Sequence, residues 1–131
     1  MPQLTPLGLR KSDGTDIGFA PKGITNGVAR LNSSTGVPIA DPTLTMSTTQ
    51  TANGRQKVVF KLAVPVVQDN VVSGVARPTV VRTAYADITL SFDGSSTVTE
   101  RKDIASFINR LMALDLQPLV NGVIANVEGI Y

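Results

Sequence analysis

The residues with chemical capacity in this chain are hydroxyls, lysines and one tyrosine, spaced at intervals of two. Thr45, Ser47 and Thr49 alternate with Leu44 and Met46; Lys57, Val59 and Lys61 alternate with Val58, Phe60 and Leu62. Thr83, Tyr85, Asp87, Thr89 and Ser91 alternate with Ala84, Ala86, Ile88, Leu90 and Phe92. Side chains change face at every strand residue, so each segment presents one polar and one apolar face. Serine and threonine hydroxyls donate or accept at a base edge. Lysines release counterions from a phosphate backbone, and a tyrosine ring stacks on an unstacked base. That combination suits RNA. The same residues also have plainer readings. Strand lysines usually face solvent, hydroxyl-rich strands follow β propensity, and a lone tyrosine on a polar strand commonly packs across to its neighbour.

Catalysis is poorly provided for. The 131 residues contain no histidine and no cysteine, which removes the commonest general base and metal ligand, thiol nucleophiles, thiolate metal sites and disulfides. Asp13, Asp16, Asp87 and Asp93 fall into no metal-binding spacing. No nucleophile-elbow glycine motif is present, so a small hydrolase is the weakest functional class, and no cofactor is expected. Twelve basic against ten acidic residues give a net charge of +2. A nucleic-acid partner must therefore be argued from where the cations stand, not from how many there are. No run approaches a membrane span, and no apolar segment at the N-terminus suggests a secretion signal.

The elements that would position these residues can be read in order. Leu4 to Arg10 and Asp16 to Ala20 flank Ser12-Asp13-Gly14-Thr15 and form a hairpin. Gly27 to Asn32 is readable as a further short strand, and Ser33 to Pro42 as loop. At Asn53-Gly54 the loop length decides the register. A two-residue loop would set Ser47 against Phe60. A three-residue loop, Ala52-Asn53-Gly54 with Gly54 left-handed, sets Thr45 against Lys61, Ser47 against Val59 and Thr49 against Lys57, and keeps the apolar residues together. Val66 to Arg77 is expected as a connection too long for a tight turn, closed by Pro78, with a long strand from Thr79 to Phe92. Thr97 and Glu100 form a capping box. Ile104, Phe107, Ile108, Leu111 and Met112 follow at helical spacing and are expected in a core. A second helix starts near Pro118, carries Leu119, Val120, Val123, Ile124 and Val127, and is expected to end at Gly129. Strands first and helices second is an α+β layout. One domain is expected, with a hairpin in 1–22, a sheet in 27–92 and helices in 97–128.

Several stretches, taken in order, resemble the coat proteins of the single-stranded RNA bacteriophages, the leviviruses. They are Asn26-Gly27-Val28-Ala29, Asn53-Gly54-Arg55 through Val64-Pro65 with Lys57 and Lys61, Arg82 to Asp87, Ser96-Thr97 through Glu100-Arg101, and the terminal Gly129-Ile130-Tyr131. The resemblance implies an N-terminal β-hairpin, a five-stranded antiparallel sheet and two C-terminal helices. It further implies an interlocked homodimer with a continuous ten-stranded sheet, and an icosahedral shell of dimers around single-stranded genomic RNA. The partners it implies are further copies of the chain, that RNA, a stem-loop whose capture represses replicase translation, and a minor attachment or maturation protein; no membrane is among them. The place it implies is the virion, assembled in the bacterial host's cytoplasm.

By the same resemblance, Thr45, Ser47 and Lys61 belong to adenine-binding pockets, Val28 to a pocket wall, and Tyr85 to the stacking position. Arg55 and Lys57 lie near phosphates. Val59 stands where relatives commonly place a threonine, Thr49 where some have arginine, Thr43 where some have lysine, and Asp87 where some have asparagine. The segment from Val66 to Pro78 resembles the loop lining the shell's openings, where some relatives carry cross-linking cysteines; this chain has none, so its shell should rest on non-covalent contacts. The reading adopted is a coat subunit; the competing one is a stand-alone dimeric RNA-binding regulator that never assembles.

Overall fold

The computed structural model describes residues 3–36 and 38–130. Two compact units divide the chain, Met1–Ser91 and Phe92–Tyr131. The first is one antiparallel sheet of six strands in sequence order: β1 (Leu7–Arg10), β2 (Asp16–Thr25), β3 (Val28–Asn32), β4 (Thr43–Gln50), β5 (Gln56–Val72) and β6 (Val75–Phe92). The hairpin is therefore not separate from the sheet. β2 pairs with β1 through Asp16–Phe19 and with β3 through Ala20–Thr25. Pro21, which has no N–H to give, lies beyond the reach of β1, where β2 has only one pairing neighbour.

Local chemistry explains two of the hairpin turns. In the first hairpin the Lys11 N–H donates to the Thr15 carbonyl at 2.8 Å, the Gly14 N–H donates to the Lys11 carbonyl at 3.0 Å, and Gly14 takes φ 89°. The Asp13 carboxylate accepts the Thr15 N–H at 2.9 Å. Hydrogen bonding from Thr15 holds that carboxyl below its ordinary range. The β4–β5 loop repeats the same geometry. The Thr51 N–H donates to the Arg55 carbonyl at 2.8 Å, the Gly54 N–H to the Thr51 carbonyl at 3.0 Å, and Gly54 has φ 77°. This is the three-residue loop, and the pairing that follows is the expected one: Thr45 with Lys61, Ser47 with Val59, Thr49 with Lys57.

The segment after Val66 differs from expectation. It is strand rather than connection: β5 continues to Val72, β6 starts at Val75, and only Ser73 and Gly74 intervene. Both have positive φ, 53° and 79°, as a two-residue hairpin loop of the primed type requires. Serine seldom adopts that conformation, and the polar run Gln68-Asp69-Asn70 conceals the strand. Pro38–Ala40 forms a short 3₁₀ turn within the segment expected as loop; Val37, which precedes it, lies outside the described residues.

The apolar face follows from the register. Leu31 pairs with Leu44, and Leu44 with Leu62, so the three lie side by side. Phe19, Leu31 and Leu44 are buried, with Leu4, Leu7, Ile17, Met46 and Leu62 packed against them. Leu31 is the one large side chain among the described residues that is wholly shielded; burial of that kind is worth about 1.5–3 kcal/mol.

The second unit holds α1 (Val98–Leu111) and α2 (Pro118–Ala125). The capping box at Thr97 and Glu100 is closed in both directions, each bond 3.2 Å long. α2 opens with Pro118 in its first turn and stops at Ala125, before the expected Gly129. Asn126 caps it, Val127 turns into the left-handed region at φ 55°, and the Glu128 N–H returns to the Gly122 carbonyl at 3.3 Å. The helical stripe expected in a core is not buried: neither helix has a buried residue, and Phe107 is 68% exposed. No helix among the described residues is long and apolar enough to cross a membrane.

Gly54→Ala should destabilise the protein by about 1–2 kcal/mol, because a Cβ is disfavoured at that backbone conformation although the space around it is open. Gly54→Asn should cost less. Urea midpoints at fixed protein concentration check this; equal midpoints for wild type and alanine would remove the register argument from Gly54.

Candidate nucleic-acid interface

On the opposite face of the sheet, the register gathers the polar side chains into rows. Val28 pairs with Ser47 and Ser47 with Val59. The next row is Arg30, Thr45 and Lys61; the one after it is Asn32, Thr43 and Ala63. Thr49 and Lys57 lie side by side toward the loop. Seven of the expected site residues, Val28, Thr45, Ser47, Thr49, Lys57, Val59 and Lys61, thus share one patch across β3, β4 and β5. Thr45, Ser47 and Val59 are half-buried, and Lys57 and Lys61 are exposed. Hydroxyls therefore sit low between strands while ammonium groups stand above them, a floor for base edges with a rim for phosphates.

Arg55, Tyr85 and Asp87 lie off those three strands, the first on the β4–β5 loop and the other two on β6. Arg55 is on the β4–β5 loop, and its Nε donates to Ser91 Oγ of β6 at 2.7 Å. Ser91, Asp87 and Tyr85 alternate onto one face of β6, and Tyr85 is 77% exposed. A ring this open keeps most of its surface free for stacking, which disfavours the plainer reading of Tyr85.

Electrostatically the patch is one-sided. β3, β4 and the part of β5 that pairs with β4 carry Arg30, Lys57 and Lys61 and no Asp or Glu. Among the described residues the salt bridge is Arg10 with Asp16, 2.9 Å apart on the first hairpin, and it engages none of these three cations. Asp87 is the nearby exception, on β6. Arg30 was not among the residues singled out from sequence. A single arginine on a short strand gives no signal until the register shows that Val28 faces Ser47. The described residues contain no cluster of three or more carboxylates suited to a metal.

An antiparallel sheet followed by two C-terminal helices is an architecture shared with solved capsid proteins of RNA phages. The fold matches the virus-like particle of Beihai levi-like virus 21 with a TM-score of 0.84 at 26% identity, covering 99% of each chain. It matches the bacteriophage GA capsid protein equally well, at 0.84 and 25% identity over 98% of each. In sequence, the chain is 40% identical over 131 residues to the capsid protein of Pseudomonas phage PRR1, covering 98% of this chain and 99% of that one. It is 30% identical over 130 residues to the capsid protein of Qbeta virus (strain MX1), covering 98% and 96%. A family model described as levivirus coat protein matches residues 2–131. The chain belongs to the levivirus coat protein family, a family of structural capsid proteins of phage virions rather than of enzymes.

Proposed function

We propose that this coat protein forms dimers that close an icosahedral shell around single-stranded RNA, and that its hydroxyl- and cation-bearing sheet face binds that RNA, a stem-loop included. The observation that carries the reading is the division of faces in the β3–β4–β5 ladder. Three cations, four hydroxyls and no carboxylate lie on one side, and Leu31, Leu44 and Leu62 lie on the other. Unstacked loop bases are caught by hydrogen bonds to their edges and by an aromatic face. Thr45, Ser47 and Tyr85 supply these, while Arg55, Lys57 and Lys61 supply charge for phosphates. Val28 and Val59 flank Ser47 as apolar walls, and Thr49 extends the hydroxyl row.

Two features support self-association. β6 runs for 18 residues at the end of the sheet, an open edge that invites another strand; its twin is the natural partner in a two-fold dimer. The helices hold Phe107, Leu111, Met112 and Leu119 about half to two-thirds exposed, and such apolar stripes are stable when another surface covers them. Seizing the stem-loop would block ribosomes on the message that contains it, which is how the same face would repress replicase translation. The 131 residues act as one coat-protein domain in this reading. A minor capsid protein would join the shell through the same fold: the chain is 30% identical to the minor capsid protein A1 of Qbeta virus (strain MX1), of which it spans 39%.

Recombinant protein examined by negative-stain microscopy and size-exclusion chromatography should give closed particles that contain nuclease-protected RNA. A clean dimer at high concentration with RNA present would instead establish the non-assembling regulator. Tyr85→Ala should weaken hairpin RNA binding by about 1–3 kcal/mol and leave particles intact; unchanged affinity would remove Tyr85 from the site. Lys57→Ala should weaken binding to all RNAs alike and lower the slope of log K against log salt by about 0.7. A loss confined to one RNA sequence would contradict a phosphate role.

A further inference from the structure

Arg30 occupies the middle of β3, opposite Thr45, which is opposite Lys61. Directly opposed residues of antiparallel strands project from the same face. The three side chains therefore stand in one row across the strands, and two strand spacings, about 10 Å, separate the backbone positions of the residues at its ends. On the β2 side Arg30 faces Gly23. That glycine has no side chain, takes φ 134°, and has nothing within 4 Å of where a Cβ would be. The β2–β3 register shifts at this point, with Lys22 as the extra residue. Arg30 is exposed, and no ion pair holds it among the described residues.

Exposure alone would make Arg30 an ordinary solvated arginine. Its place in the row gives it more. A nucleotide whose base edge is held at Thr45 carries one phosphate on each side of its sugar, and the row offers one cation on each side of Thr45. We propose that Arg30 binds the RNA phosphate on the β2 side of the base held at Thr45, opposite the phosphate held by Lys61, so that Arg30, Thr45 and Lys61 act as a phosphate–base–phosphate clamp. The inference rests on the RNA-binding reading of this face and adds to it a residue and a direction: the strand crosses β3, β4 and β5 rather than running along them. The guanidinium fork matches two phosphate oxygens at once, which an ammonium group cannot do. The gap at Gly23 leaves it free to swing toward the strand.

The test measures binding of the purified protein to an adenine-loop RNA hairpin and to single-stranded oligoadenylate over a range of salt. Arg30→Ala should weaken both roughly 5- to 10-fold and lower the salt slope by about 0.7, the value for one lost contact to a single strand. Arg30→Lys should keep the slope and lose only part of the affinity, since charge stays and the fork goes. Lys102→Ala, on α1, should change neither. If Arg30→Ala leaves the slope unchanged while Lys61→Ala lowers it, the clamp is overturned and the RNA face stands. If neither Lys57→Ala, Lys61→Ala nor Arg30→Ala moves the slope, the RNA reading falls and the clamp with it. Should Arg30→Ala fail to fold by circular dichroism, Arg30→Gln, which keeps the stem of the side chain, carries the same expectation.

Discussion

Everything in the sheet unit depends on the pairing parity of β4 with β5. A strand's side chains repeat every two residues, so a slip of one would move Lys61 to the face of Leu44 and Phe60 to the face of Thr45. Both moves are costly: an unpaired ammonium would press on a core that includes Leu31, and a phenyl ring would lie open. The left-handed Gly54 turns the chain with three loop residues instead of two, and that single odd count fixes which side chains meet. Once Thr45 faces Lys61, β3 is constrained as well, because Leu31 must join Leu44. Arg30 is then placed on the polar face by the core on the other side. Polar patch and core are consequences of one alternation.

How much of this could be read beforehand depended on whether the local sequence determined the geometry by itself. The β4–β5 hairpin was legible because alternation on both arms and a glycine at the loop's end admitted only one register. Thr97 and Glu100 were legible because their spacing lets each satisfy the other's backbone N–H. The tip at Ser73-Gly74 was not. Serine gives little sign of a positive φ, and the flanking Gln68, Asp69 and Asn70 have the composition of a loop although they extend β5. The end of α2 was misplaced for a similar reason. Val127 takes the left-handed turn at φ 55°, a conformation that a β-branched residue rarely adopts, so the visible glycine two residues later drew the boundary. At the candidate site, the hydroxyls and lysines showed by their period, whereas Arg30 needed a partner strand 13 or more residues away to acquire meaning.

The helical unit follows a different logic. Its local signals are strong, yet neither helix has a buried residue: Ile104 is 40% exposed, Phe107 68% and Leu119 66%. Burial of such surface is worth roughly 25 cal/mol for each Å², so stability withheld from the monomer is available to the assembly. A coat protein gains from this arrangement, because subunits that are fully satisfied alone have no reason to associate. The long β6 edge fits the same account: backbone groups left open in one chain are a template for the next.

Charge placement, finally, is how a chain of net charge +2 would favour RNA in the proposed function without becoming a general polyanion binder. The ten acidic residues are kept off β3, β4 and the adjoining part of β5, so the field near that patch is positive although the whole molecule is almost neutral. Asp87 sharpens the effect. In the proposed binding mode a carboxylate two residues from Tyr85 would repel phosphate but leave a base free to stack, so an RNA strand would lay its backbone over Arg30, Lys57 and Lys61 rather than over β6. Orientation would then come from repulsion at one strand as much as from attraction at two others, β3 and β5.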